Sequence, residues 1–251
     1  TIPASEYTVS YSNNVNAGTA TVTIADKDGG NYIVNGSATF EITKASITVS
    51  APTAKDLMHS HIAQELVTAG SITHGPANAQ FEYAVSASAN VSPDSLSWGS
   101  GIPKGKLAGT YYVWYRVTTE DANYSQYICQ LPIEVHIAKA EYTLYKEPKA
   151  VNNPVYNGSD IVLISSHGLL RCVDSSLLQT QYALSDSPDT KPALASFSYD
   201  RPAATNAGTY YVWYGNVGDS YYEPYISEAP ITVTIAPLPI EITVDQSSKY
   251  Y

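Results

Sequence analysis

Few residues in this chain have both the type and the spacing to do chemistry. His59 and His61 flank Ser60 in "HSHIAQELV", and His74 follows. On a strand, residues two apart project to one side, and imidazole is a ligand for zinc. No cysteine or dedicated carboxylate completes that set in sequence, and exposed turn histidines account for the same residues. "DKDGGN" (Asp26 to Asn31) has the flavour of a calcium loop. An EF-hand loop needs Gly at its sixth position and Glu at its twelfth; here Gly comes fourth and Ser37 stands twelfth. A hairpin turn uses Asp, Gly and Asn equally well. His167 and Cys172 are the nearest approach to a base and a nucleophile, but the third, orienting group such a pair needs is missing from the sequence. No GxSxG elbow, HExxH helix, P-loop or GxGxxG turn is present. The expectation is a chain with no catalytic residue, no metal and no cofactor, and not an enzyme.

What the sequence does offer is aromatic surface. "AGTYYVWY" stands at Ala108–Tyr115 and again at Ala207–Tyr214. In an alternating strand, Tyr111, Val113 and Tyr115 face one way, and Tyr112 and Trp114 the other. The second copy repeats this with Tyr211 and Trp213. These four residues, Tyr112, Trp114, Tyr211 and Trp213, are the candidate contact surface for a ligand or partner. The competing expectation is that each indole is covered by its own domain, for example by "YYEPY" (Tyr221 to Tyr225).

The elements that would carry these residues follow from the repeat. "NAGTATVTI" (Asn16 to Ile24) is a third copy, so the AGT spacings are 91 and 99 residues. "PIEVHIAKA" and "PITVTIAPL" repeat downstream, and "FEITKA" parallels "VHIAKA". Each unit alternates short β-branched or aromatic runs with Gly, Pro, Asn and Asp. No window carries a helical apolar stripe. This predicts an all-β fold of tandem immunoglobulin-like antiparallel β-sandwiches. The boundaries are a partial repeat with closing strands only at 1–45, complete repeats at 46–140 and 141–237, and the first strand of a further repeat at 238–251. In that frame Tyr111 and Tyr210 form tyrosine corners, with hydroxyls bonded to nearby backbone, and Val113 and Val212 occupy the core position of the strand. Residues 1–45 are too few to close a sandwich. The stretch 166–179 has no predicted path.

These motifs resemble the tandem Ig-like repeats of bacterial surface proteins, the mostly-bacterial-Ig (MBG) type. "YNGSDIVLI" (Tyr156 to Ile164), "QELVTAG" (Gln64 to Gly70), "WGSGIPKGKLAGTYYVWY" (Trp98 to Tyr115) and "EDANY" (Glu120 to Tyr124) carry the resemblance across nearly the whole chain. His59 and His61 depart from it, standing where the pattern has Tyr and Gly. The resemblance implies a stalk or spacer of a secreted or surface-attached bacterial protein, an extracellular setting, and neighbouring repeats as partners. The alternative is a carbohydrate- or protein-binding module of an adhesin, with a glycan or a host or matrix protein as partner.

Composition sets outer limits. There are 22 Tyr against 3 Phe, a bias toward pleated, half-exposed surface. The net charge of −10 is opposite in sign to a nucleic-acid footprint. No run approaches the apolar length of a membrane-spanning helix. Cys129 and Cys172 lie in separate units, so no disulfide is expected between them.

Overall fold

The computed structural model describes residues 1–244. The fold is all-β, with several antiparallel sheets and three single-turn 3-10 segments. Its contacts divide it into two compact units. The first holds Thr1–Leu57, Ala63–Gly105 and Gly109–Ile137. The second holds Met58–Ile62, Lys106–Ala108 and the chain from Ala138 onward.

The first unit begins with a meander of β1 (Tyr7–Ser12), β2 (Gly18–Asp26) and β3 (Asn35–Ile42). Gly18 has φ +134°, a conformation that L side chains rarely adopt, which explains the Gly of the repeated AGT. Antiparallel pairing sets Val9 against Ile24, Tyr11 against Val22, and Ala20 against Phe40. Opposed residues share a face, so Tyr7, Val9, Tyr11, Val22, Ile24, Phe40 and Ile42 line one side, and Thr8, Ser10, Thr19, Thr21, Thr23, Thr39 and Glu41 the other. The apolar side is not closed: Val9 is 45% and Phe40 41% exposed. Residues 1–45 thus hold a three-stranded antiparallel sheet with one apolar face.

The same unit continues with β4 (Thr48–Ser50) and β5 (Gln64–Glu65), then β6 (Ser71–His74), β7 (Gln80–Ser86) and β8 (Lys104–Gly105). The long β9 (Gly109–Thr118) and β10 (Ile133–Ala138) complete it. β9 pairs with β7 on one side and β10 on the other; β4 pairs with β6, and β5 with β8. Leu66, Val67, Tyr83, Val113, Tyr115, Val135 and Ile137 form the core, and Val49 packs against it. Each such aliphatic side chain contributes about 1.5–3 kcal/mol on full burial, so this cluster dominates the stability of the layer pair.

The second unit repeats the plan. β11 (Thr143–Lys146), β12 (Ile161–Val162), β13 (Leu169–Arg171) and β14 (Leu177–Gln179) lead into β15 (Gln181–Ser185). β16 (Ala203–Ala204), β17 (Gly208–Asn216) and β18 (Ile231–Ile235) follow. The stretch 166–179, without a predicted path, is a hairpin: β13 pairs with both β11 and β14. Leu163, Ile164, Tyr182, Val212, Tyr214, Val233 and Ile235 form the core, with Leu144 packed on it.

Three sheets share one register. Gly18 opposes Ile42, Gly109 opposes Ile137, and Gly208 opposes Ile235. Ser12, Ser86 and Ser185 stand at one further equivalent position, opposite Thr21, Tyr112 and Tyr211. The turn joining repeats also recurs. Ala45 N–H donates to Asn123 O, and Ala140 N–H to Tyr221 O, each at 2.8 Å. Both residues pair in parallel with the next position, Tyr124 and Tyr222. Leu238–Val244 is in no strand, and Ile240, Ile242 and Val244 are 81%, 82% and 82% exposed. The remainder of the expected further repeat, 245–251, lies outside the described residues.

Candidate functional site

The repeated strand places its two aromatic pairs identically. Trp114 and Trp213 are 3% and 2% exposed, while Tyr112 and Tyr211 are half-buried. Each indole is held by a relay. Trp114 Nε1 donates to Ser86 Oγ at 3.0 Å, and Ser86 Oγ donates to Ser88 O at 2.7 Å. Trp213 Nε1 donates to Ser185 Oγ at 2.9 Å, and Ser185 Oγ to Ser187 O at 2.6 Å. A buried indole N–H needs an acceptor, and the serine on the neighbouring strand supplies it in both copies. Around Trp213 lie Phe197 and Ala183, with Lys191 Nζ 5.6 Å from the ring centroid. The cover is the loop after β15, not "YYEPY", because the relay serine and the loop that begins at it sit directly beside the ring. An exposed aromatic platform at Trp114 and Trp213 is therefore not what this face presents; the half-buried Tyr112 and Tyr211 rings are its accessible aromatic surface.

The corner tyrosine behaves as the frame requires in the second unit. Tyr210 donates its hydroxyl hydrogen to Asn206 O at 2.8 Å, although its ring is half-buried rather than buried. Tyr111 packs half-buried on its own core.

His59 and His61 are not free turn residues. His59 is 2% exposed, its Nδ1 lies 3.0 Å from Lys106 O, and its ring stacks on Tyr221 with centroids 5.1 Å apart. A carbonyl only accepts, so Nδ1 carries the proton. His61, with φ +63°, places Nε2 2.8 Å from the Tyr222 hydroxyl, which also accepts Val173 N–H at 3.2 Å. Tyr222 stacks on Tyr142 with centroids 4.5 Å apart, and burial pushes the Tyr222 phenol pKa up. The histidines thus fill an aromatic cluster of the second unit together with Ala140, Leu170 and half-buried Cys172. His74 sits on β6 in the first unit, beside Tyr124. Among the described residues, no three of His, Cys, Asp and Glu come together as a metal-holding group.

The remaining candidates serve turns. Asp26 Oδ1 accepts Val34 N–H at 3.2 Å, and Gly30 N–H donates to Lys27 O at 3.0 Å, so "DKDGGN" is the β2–β3 hairpin. His167 Nδ1 lies 3.3 Å from the Tyr182 hydroxyl, whereas Cys172 N–H donates to Ser176 O at 2.9 Å in the β13–β14 turn. Both cysteines are free thiols. Cys129 Sγ accepts Tyr115 N–H at 3.2 Å, the position where Ser227 Oγ meets Tyr214 N–H at 3.4 Å. Burial pushes the Cys129 thiol pKa up, which makes it unreactive.

Sequence reasoning missed the most buried polar anchors. The Tyr83 hydroxyl accepts Gly70 N–H at 2.9 Å, and the Tyr182 hydroxyl accepts Gly168 N–H at 3.1 Å and Thr180 O–H at 2.9 Å. A Cβ at Gly70 would lie 2.3 Å from the Phe81 ring, and at Gly168 2.6 Å from Pro148. The signal was present: Tyr83 and Tyr182, like Ser86 and Ser185, are also 99 positions apart. No protein-family model matches this chain, and no curated protein matches it.

Proposed function

We propose that the chain is a structural spacer, a run of Ig-like repeats of the MBG type in a secreted or surface-attached bacterial protein. It holds other parts of that protein apart in an extracellular setting. One observation carries this reading: three sheets of common register recur along the chain, and the same backbone bond recurs inside each unit, Ala45 N–H to Asn123 O in the first and Ala140 N–H to Tyr221 O in the second. Arrays of this kind derive stability from contacts between neighbours. Asp26, His61, His167 and the Cys172 backbone each bond within a turn or an aromatic cluster. The indoles of the alternative carbohydrate- or protein-binding reading are buried in their own repeats.

Single-molecule pulling on the 251-residue chain tests the proposal. A spacer of two full repeats gives two discrete unfolding steps. Each releases on the order of 300 Å, from ~95 residues at ~3.3–3.6 Å apiece. Smooth extension without steps overturns the mechanical reading. Saturable retention on a glycan array, lost on Tyr112→Ala with Tyr211→Ala, replaces it by the binding module.

A further inference from the structure

We infer that the first unit carries a binding site for a neutral pyranose sugar, in a polar cleft on the outer face of its sheet where β7 begins and β9 ends. The inference does not need the spacer role, which the pulling experiment tests by a separate readout.

The cleft holds about 480 Å³ and is lined by Asn78, Gln80, Thr118, Thr119, Glu120 and Gln126. Small-molecule sites span roughly 300–1,000 Å³. Alternation and register build it. Gln80 opposes Thr118 and Glu82 opposes Arg116 across β7 and β9. On the other side of β9, Ile128 of the short strand Tyr127–Ile128 opposes Arg116. Residues two apart in a strand share a face, so Gln80, Thr118 and Gln126 stand in one row. Glu82, Arg116 and Ile128 form the next row on that face.

The second unit shows that the fold itself does not require this cleft. By register, Thr118, Thr119 and Gln126 correspond to Val217, Gly218 and Pro224. There Gln181, the counterpart of Glu82, spends its Oε1 on Val217 N–H at 2.9 Å. A Cβ at Gly218 would lie 2.7 Å from Tyr222 O and 2.8 Å from Pro224 N, so the following backbone closes directly against that position. The connection 118–126 of the first unit is one residue longer than 217–224, and it accommodates Thr119 where the second unit needs glycine. A hydroxyl and an amide thus replace Val and Pro at a place that the longer connection leaves open.

The lining selects the class of ligand. Its six residues include no cation and no aromatic ring, the groups that would hold a phosphate or a flat apolar ring. Arg116, in the next row, is committed to Glu82 at 2.6 Å and lies over the Trp98 ring, 4.5 Å from its centroid. What remains is amide, hydroxyl and carboxylate. An amide both donates and accepts, as does each hydroxyl of a sugar, so neighbouring ring hydroxyls engage one amide at both ends. The Thr119 hydroxyl donates to Asn78 Oδ1 at 2.9 Å, which fixes that amide and leaves its NH2 to donate. Among the described residues, no hydrogen bond takes the Gln126 amide, the Thr118 hydroxyl or the Glu120 carboxylate. Ile128, 43% exposed, gives the same face an apolar ledge for the C–H edge of a pyranose. Glu120 accepts hydroxyl donors and repels anions, so the ligand is uncharged.

The test is an amide-detected NMR titration of the 251-residue chain with glucose, galactose, mannose, N-acetylglucosamine and galacturonate, each to ~10 mM to reach weak affinities. Retention on immobilised neutral oligosaccharides is measured beside it. At least one neutral sugar is expected to shift the Gln80 and Gln126 side-chain amides saturably; retention without such shifts from the free sugars assigns the site to glycan chains. Gln80→Ala with Gln126→Ala changes only exposed side chains and is expected to weaken binding at least ~10-fold. Thr118→Val, which copies the second unit, is expected to weaken it too. Neither shift nor retention with any neutral sugar overturns the inference, and so does binding confined to galacturonate. Binding indifferent to the cleft variants overturns it as well; if that binding is lost with Tyr112→Ala and Tyr211→Ala, the aromatic face is the sugar site instead.

Discussion

Tyr182→Phe is the sharpest perturbation of this core, because the chain contains its own control. The Tyr182 hydroxyl is buried and takes two donors, Gly168 N–H at 3.1 Å and the Thr180 hydroxyl at 2.9 Å. Thr180 is 0% and Tyr182 2% exposed, so water cannot replace the lost oxygen. Tyr83→Phe removes the equivalent oxygen from one backbone donor, Gly70 N–H. Each buried donor left unsatisfied costs about 1–3 kcal/mol. We expect Tyr83→Phe to cost about 1–2 kcal/mol and Tyr182→Phe about 1 kcal/mol more. With a urea slope of about 1 kcal/mol/M for a unit of this size, the midpoint of the second unit falls by roughly 2–3 M. Peptide-resolved hydrogen exchange across a urea series reads the two units separately, through β9 and β17. Adding Thr180→Val to Tyr182→Phe removes one orphan at nearly constant volume and is expected to recover part of the loss. Equal costs in the two units, or no recovery with Val at position 180, refute the orphaned-donor account.

The other predictions use the same internal symmetry. Ser86→Ala and Ser185→Ala each strand a buried indole N–H and should cost about 1–2 kcal/mol apiece in their own unit, read by the same exchange experiment; a cost in only one would break the equivalence of the relays. Tyr210→Phe loses a half-exposed bond to Asn206 O and should cost less, about 0.5–1.5 kcal/mol. In the native chain a thiol reagent should modify half-buried Cys172 first and reach Cys129 only on unfolding, with two thiols counted at the end; a disulfide-linked product would contradict this. Burial pushes the Tyr214 phenol up to about 12 and raises Tyr115 and Tyr142 as well. The folded state holds those protons more tightly than the unfolded chain. Their contribution is therefore complete below the ordinary phenol pKa near 10 and declines as pH climbs through about 12. Urea midpoints that stay level across that window would contradict it.

The parts of the fold written in side-chain alternation were legible in the sequence. "GTYYVWY" fixes a strand whose Tyr, Val and Tyr face inward, and the copies at Gly18, Gly109 and Gly208 fix a common register because a one-residue slip would turn every apolar side chain outward. Polar positions were harder. Sequence assigns Trp114 and Trp213 to the outward side, which is correct for their own strand. It does not show that the loop starting at Ser86 or Ser185 folds back over that side, since the loops "SASAN" and "SDSPD" share only the serines that form the relay. Cys129 reads as a thiol, yet it occupies the place of Ser227; only the pairing of each with the backbone of Tyr115 and Tyr214 shows that a small acceptor is what the position needs.

His59 and His61 show why chemical type and spacing alone do not place a side chain. Their spacing fits metal ligation as well as it fits a turn. What decides is that Tyr221 and Tyr222, far away in sequence, converge on them, with Tyr142 stacked on Tyr222. In the first unit the corresponding turn is bridged by the Asn123 amide, which accepts Ala17 N–H and donates to Asn16 Oδ1. The second unit replaces the amides with stacked rings and a His59 that donates to a carbonyl. Amide bonds at an exposed turn trade readily with water, so each is worth about 0.5–1.5 kcal/mol. Stacked rings add about 0.5–1.5 kcal/mol per pair beyond the area they bury. One backbone bond, Ala N–H to the turn carbonyl, is kept in both, while the side chains around it set how firmly the turn is held.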